Sequence, residues 1–300
     1  MNIPQLSPSS IIEGRWNKNR YEIKEKIGEG GIASVYLVEE VQTRQQYAMK
    51  ISKDSISINR EYQLLKKFHK VDMIVETWGI DDLKLNGETY YYILLEYIKG
   101  ENLKEYNEKN KLDNTIIISI ILIILKGLQT FHDEEYIIGD LKLENLMLDK
   151  RNSKLKIIDL GGVVKNGDTI KEFTPLYDRA SWKCGERIAE ASYDLFTVMI
   201  VFIKLLLKES IHPKNQKIED VIEKLKKLDL DKELENFIIE GLLKNKKSLN
   251  FYIKRLKNLY NRERGYQLQK RLLLKEKRVN ILLSFSILFF ITTIIFLFLI

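Results

Sequence analysis

Near residue 100 the apolar pattern of this 300-residue chain changes period, and that change limits the folds open to it. Before it, residues 21–27, 34–40 and 46–51 carry the β-branched and aromatic side chains of half-buried strands. The pair Asn86-Gly87 between 80–85 and 89–97 predicts a two-residue hairpin, because both residues tolerate the positive φ such a turn needs. One helix interrupts the strands, over 57–69, with Tyr62, Leu65 and Phe68 at helical spacing. After Asn102 the spacing predicts helices over 114–132, 191–208, 217–228, 232–243 and 248–262. Only 146–148 and 155–158 read as extended. The expectation is an α+β chain: an N-terminal extension (1–20), a β-rich lobe (21–97) and a larger helical lobe (98–262). No internal repeat or low-complexity linker divides it.

Charge and hydropathy organise the rest. The formal charge is +7, which invites a nucleic-acid reading, but its location argues against one. Between Lys254 and Arg278, ten Lys and Arg face only Glu263 and Glu276, so this stretch carries the whole excess. It stands directly before 281–300, twenty residues without charge, Gly or Pro. As a helix these would be about 30 Å long, the thickness of a bilayer's hydrocarbon core. Their serines and threonines can return hydroxyl bonds to the helix backbone. The apolar runs at 116–125 and 195–203 are cut short by Lys126 and Lys204, as expected of core helices in a soluble lobe. Residues 281–300 are therefore expected to form a single membrane span, after a basic juxtamembrane segment (263–280). Lys270, Arg271, Lys275, Lys277 and Arg278 would place the preceding chain on the cytoplasmic side, against anionic headgroups. The span ends at the last residue, which fits a tail anchor or the loss of an outer domain. Residues 1–20 lack an apolar h-region, so no signal peptide is expected. The lone Cys184 excludes an intramolecular disulfide and fits a reducing compartment; an ordinary buried or half-buried thiol is its simplest reading.

Chemistry concentrates in Tyr136-Ile-Ile-Gly-Asp-Leu-Lys-Leu-Glu-Asn145, followed by Ile157-Ile-Asp-Leu-Gly161. Metal-dependent phosphoryl transfer needs these groups. Asp140 can accept a proton from an attacking hydroxyl and Lys142 can hold the moving phosphoryl group, while Asn145 and Asp159 can grip magnesium on the phosphates. One Asp-x-Lys would mean nothing; the order and spacing of the set are specific. Upstream, Ile27-Gly-Glu-Gly-Gly-Ile-Ala-Ser-Val35 lies between two predicted strands, where glycines let backbone amides approach phosphates. A dinucleotide loop is disfavoured there, because that fingerprint starts a helix at its glycines. Tyr47-Ala-Met-Lys50 follows on the third strand and Arg60-Glu61 on the helix. Taken alone, Lys50 and Glu61 would be a solvated ion pair of little energetic worth.

In this order the motifs, from Tyr21 to about Tyr260, resemble the eukaryotic-type Ser/Thr protein kinase family. The resemblance implies a bilobal kinase fold that binds ATP and Mg2+. It places ATP against Gly28, Glu29, Gly30, Gly31, Val35, Ala48, Lys50, Glu61, Glu96 and Ile98, with the backbone of Glu96 and Ile98 at the adenine. Asp140 and Lys142 would be catalytic, and Asn145 and Asp159 would hold the metal. Thr174-Pro-Leu-Tyr177 looks like the substrate-side end of the activation segment. Asp194-Leu-Phe-Thr-Val198 looks like the buried helix whose Asp braces the catalytic loop. The implied activity is phosphorylation of protein Ser/Thr residues by a membrane-anchored cytoplasmic enzyme, on substrates the sequence does not identify.

The chain also departs from the family pattern. Ala33 replaces the third glycine of the phosphate loop. His-Arg-Asp becomes Ile138-Gly139-Asp140, without the Arg that binds a phosphorylated segment. Asp-Phe-Gly becomes Asp159-Leu160-Gly161, and Ala-Pro-Glu becomes Arg179-Ala180-Ser181. The last change removes a structural carboxylate, and no Arg partner for it is evident in 244–250. Basal activity without segment phosphorylation is expected, with control through membrane location or self-association; the alternative is that Lys165 or Lys171 replaces the missing Arg. Two other functions compete. A catalytically silent scaffold or nucleotide sensor is disfavoured because Lys50, Asp140 and Asp159 are all present. A small-molecule kinase of the aminoglycoside type shares Gly139-Asp140, but Lys142 and 174–177 follow the protein-kinase pattern.

Overall fold

The computed structural model describes residues 5–243 and 247–299, with the side chains of 270, 271, 276, 279, 280, 284 and 287–299 outside that description. The N-terminal lobe is a six-stranded antiparallel sheet. Its strands are β1 (Ile11–Glu13), β2 (Arg20–Glu29), β3 (Ala33–Glu40), β4 (Gln46–Ser52), β5 (Thr77–Leu85) and β6 (Glu88–Glu96), in the order β1-β2-β3-β4-β6-β5. Asn86 and Gly87 turn β5 into β6 with φ of +50° and +82°, the paired left-handed conformation of a tight hairpin. Helix α1 (Ser55–Lys67) begins two residues before the expected start. Asp54 caps it by accepting the N–H groups of Ile56 (3.0 Å) and Ser57 (3.2 Å). Its Ile58, Glu61, Leu64 and Leu65 face inward.

β1 is an element the periodicity did not reveal, since three residues are too few to show a period. It pairs with β2 (Ile12 against Tyr21), and Asp81 secures the turn beyond it by accepting the N–H of Asn17 at 2.9 Å.

The C-terminal lobe is helical. It comprises β7 (Gly100–Asn102), α2 (Leu103–Lys109), α3 (Asn114–Asp133), β8 (Tyr136–Ile137), β9 (Leu146–Asp149), β10 (Lys154–Ile157), β11 (Val164–Lys165), α4 (Ala191–Leu206), α5 (Ile218–Lys226), α6 (Lys232–Leu243) and α7 (Leu249–Leu299). α3 is long and apolar enough to cross a membrane, but ten of its residues, including Ile121, Leu125 and Phe131, are buried in the lobe. It is a core helix. α4 is buried almost throughout, from Tyr193 to Ile203. One apolar core joins the lobes, running from Ala48, Ile93 and Leu95 of the sheet to Ile117 and Ile121 of α3. A second lies on the sheet's other face around Tyr21, Met49 and Tyr92.

The sequence divides 248–300 into a lobe helix, a basic segment and a span; the backbone runs as one helix to Leu299. Most of the expected span 281–300 falls where side chains lie outside the description. Residues 244–246, part of the stretch searched for an Arg partner, also lie outside the described residues.

Candidate active site

Three strands and one helix bring the first group of charges together. β4 carries Lys50 and α1 carries Glu61; Lys50 Nζ lies 2.7 Å from Glu61 Oε2 and 3.0 Å from Asp159 Oδ1. β10, antiparallel to β9, delivers Asp159 two residues past its end. The Gly161 N–H donates to Asp159 Oδ1 at 2.8 Å. Burial opposes the Lys50 charge, yet Glu61 and Asp159 outweigh it and raise its pKa. Burial pushes Glu61 up to about 7, opposed by Lys50 and reinforced by Asp159. Asp159 is held below the usual carboxylate range despite burial, by Lys50 and the Gly161 amide. Removing one partner from such a buried pair costs about 3–5 kcal/mol, because the other charge is left unpaired.

The second group lies on the loop after β8. Lys142 Nζ donates to Asp140 Oδ2 at 2.7 Å, and Thr174 Oγ1 donates to Asp140 Oδ1 at 2.8 Å. Lys142 also reaches Thr174 Oγ1 at 3.2 Å, closing a triangle. Asn145 Nδ2 donates to the Asp140 carbonyl at 3.2 Å, which leaves the amide oxygen as that side chain's acceptor. The loop is held from beneath by Asp194, wholly buried on α4. Asp194 accepts the N–H groups of Ile138 (2.9 Å) and Gly139 (3.1 Å) and lies 2.8 Å from His132 Nε2. Gly139 has φ of +75°, and a Cβ there would meet the Gly162 carbonyl at 2.7 Å. Backbone geometry, as well as the absence of an arginine, distinguishes this position.

The remaining expected residues lie on the N-terminal sheet, at the turn between β2 and β3, and at or just past the end of β6. β2 and β3 turn at Gly30, whose N–H donates to Ala33 O at 2.8 Å. A Cβ at Gly30 would meet nothing nearer than 3.6 Å and one at Gly31 would meet open space, so packing does not demand glycine at either. Gly28 pairs with Val35, Val35 with Lys50, and Ala48 with Leu95. Glu29 ends β2 beside this turn. Glu96 ends β6; its N–H donates to Glu76 O at 2.8 Å, and its carboxylate lies 3.3 Å from both Lys156 and Arg151. Ile98 is buried.

Sequence reasoning missed several groups. Asp178, wholly buried, pairs with Arg187 at 2.8 Å and accepts the Tyr193 hydroxyl at 3.0 Å. Arg179 pairs with Glu190 at 2.6 Å. Only tertiary contact brings these side chains together. A cavity of about 900 Å³ between α1 and the segment 161–172 is lined by Arg60, Lys165, Thr169 and Lys171 among others. Among the described residues no group of three or more His, Cys, Asp or Glu could hold a metal unaided. Magnesium binds through one or two carboxylates together with substrate phosphates, and the Asp159 carboxylate with the Asn145 amide oxygen is chemically compatible with that mode.

Comparison with known proteins places this geometry. The family model for the protein kinase domain matches residues 21–276. The chain is 35% identical over 222 residues to the serine/threonine-protein kinase YabT of Bacillus subtilis, covering 72% of this chain and 64% of that protein. It is 28% identical over 209 residues to the serine/threonine-protein kinase PknG of Mycobacterium leprae, covering 65% of this chain and 26% of that one. The match thus spans less than two thirds of either relative's length. The solved structure of the Cydia pomonella granulovirus kinase PK-1 superposes with a TM-score of 0.63 at 20% identity, over 78% of this chain and 93% of that one. At that identity the likeness shows the fold alone.

Proposed function

Since the chain belongs to the protein kinase family, in its eukaryotic-type Ser/Thr branch, we propose that it phosphorylates Ser and Thr of protein substrates from magnesium-bound ATP, at a membrane surface. The observation that carries this reading is a pair of polar groups, Lys50–Glu61–Asp159 and Asp140–Lys142–Thr174, near enough that the Lys142 charge helps to lower the pKa of Asp159. When bound, ATP supplies the transferable phosphoryl group and magnesium neutralises charge on its phosphates. Asp159 and Asn145 would hold the metal. Lys50 would pair the phosphates, with Glu61 fixing its position, and the turn at Gly28, Gly30 and Gly31 would cover them. The backbone of Glu96 and Ile98 would meet adenine. Asp140 would orient the incoming hydroxyl and take its proton, and Lys142 would stabilise charge on the transferred group. Thr174, bonded to both, holds their mutual geometry. Incubation of the full chain with magnesium and ATP, followed by mass spectrometry, tests the reading. Phosphoserine or phosphothreonine should form in the wild type and vanish in Asp140→Asn; equal labelling of both would refute it.

Membrane attachment rests on different support. A charge-free run of twenty residues follows a basic block, and α7 continues as helix from Leu249 to Leu299. The 18 residues of 263–280 as straight helix would hold the catalytic lobe about 27 Å from the bilayer face. Cytoplasmic placement follows from the positive-inside rule, and anionic lipids would attract the basic block. The protein substrates, and any self-association, belong to this same proposal.

A further inference from the structure

The stretch from Gly161 to Thr174 is fastened along its length by backbone pairing and apolar contacts. Val164 and Lys165 pair with Ile137 and Tyr136. Gly167 N–H donates to Ala189 O (2.7 Å), Ala189 N–H to Asp168 O (2.8 Å) and Ile170 N–H to Arg187 O (3.0 Å). Ile170 and Phe173 pack with Ile137, Ala189 and Tyr193 in a small apolar cluster. The Arg187 guanidinium lies 4.0 Å from the Phe173 ring centre. It donates to Asp178 Oδ2 through Nε at 2.9 Å and pairs with the same oxygen through Nη2 at 2.8 Å. Asp178 also accepts Ser181 N–H (2.9 Å), Ser181 Oγ (2.6 Å) and Tyr193 OH (3.0 Å). Phe173 is bonded to Thr174, the residue that bridges Asp140 and Lys142. Meanwhile Gly139 offers no side chain to a phosphate on the segment.

We propose that the Asp178–Arg187 pair, its carboxylate buried and its guanidinium half-buried, with Arg187 stacked on Phe173, is the positioning device that holds Thr174 on Asp140 and Lys142 in the unphosphorylated protein. It replaces both the carboxylate missing at Ser181 and the arginine missing at Gly139 with one local clamp. The choice of arginine follows from the chemistry. A guanidinium offers directed donors at its edge and a flat cationic face for an aromatic ring at once, and an ammonium cannot do both. Asp178 is fully buried and would be left an unpaired charge without its partner. Substrate-side geometry then depends on residues that touch no substrate.

This inference rests on the kinase reading, so its test needs a readout that does not require phosphotransfer. Amide hydrogen exchange across 161–177 would be followed in the detergent-solubilised full chain, after phosphatase treatment. In parallel, kcat and KM would be measured for ATP and for a degenerate serine/threonine peptide mixture. Two variants separate positioning from folding. Phe173→Leu removes the stacked face but keeps the ion pair, and Arg187→Lys keeps charge for Asp178 but loses the plane. Both should speed exchange at 168–177 about tenfold, as local opening does. Both should lower kcat/KM for the peptides roughly ten- to hundredfold, the scale of a small misplacement at the reacting centre. KM for ATP should stay within about twofold, because the nucleotide side of the site is untouched. Unchanged exchange in both variants overturns the proposal. So does a parallel rise in KM for ATP with uniformly faster exchange, which would make the pair a general support of the fold. Loss of segment protection in phosphatase-treated wild type would mean that a phosphate holds the segment, and would also overturn it. A wild type without phosphotransfer, whose segment protection still depends on Arg187, refutes the kinase reading and supports the clamp.

Discussion

In the proposed site, Glu61 is the residue on which the nucleotide side turns. Its carboxyl is buried beside one cation, Lys50, and one further anion, Asp159, and burial lifts it to about 7. As pH rises through that value the carboxyl ionises and Lys50, already charged, gains its full partner. kcat/KM for ATP should therefore rise with pH through about 7, and Glu61→Gln should lose that limb. Ionisation of ATP itself is common to both proteins, so the difference between their profiles isolates Glu61. Identical profiles would remove it from this role. Lys50, Glu61, Asp140, Asn145 and Asp159 were legible in the sequence because each sits at a fixed offset within a local motif. His132 and Asp194, 62 residues apart, were not equally so: the Asp was found through its resemblance to a family helix, while the His had no motif of its own. Asp178 and Arg187 were invisible, since nothing local distinguishes a clamped carboxylate from a solvated one.

At the scale of elements, the loop after β8 and the loop after β10 approach so closely at Gly139 and Gly162 that a side chain cannot be inserted between them. Gly139→Arg, which would restore the family's arginine, should instead strain a backbone with φ of +75° and push the loops apart. The expected loss is about 1–3 kcal/mol, read as a lower denaturant midpoint. It should bring no gain in dependence on segment phosphorylation. Wild-type stability together with a new phosphorylation requirement would show that the loops accommodate the arginine. The β5–β6 hairpin was readable because Asn86-Gly87 encodes its turn locally. β1 was not, because a three-residue strand gets its extended form from pairing with β2. The start of α1 was misjudged by two residues because Asp54, a capping residue, overrides the apolar pattern that marks the helix interior.

As a whole molecule, the chain joins a two-lobed protein-kinase fold to a helix about 75 Å long, and roughly the last two fifths of that helix are proposed to be a membrane span. Ending the chain at Arg278 should move the protein to the soluble fraction. A remainder held by the basic block should be released as salt screens it, since the Debye length falls from about 10 Å at 0.1 M to about 3 Å at 1 M. Retention of the truncated protein on membranes at high salt would reveal another anchor. The architecture of the lobes was legible because strand and helix periods segregate on either side of residue 100. The clamp on the activation segment was not, because it exists only once α4 and the segment have packed. The central claim is that Lys50, Glu61, Asp140, Lys142, Asn145 and Asp159 act as one phosphotransfer site. Its most direct test is the single-turnover rate of phosphate transfer from ATP in purified Lys50→Ala and Asp159→Ala, compared with wild type. Each variant should stay folded and lose at least about two to three orders of magnitude, as removal of a preorganised charge at the reacting phosphates requires. Near-native transfer by either variant would contradict the account.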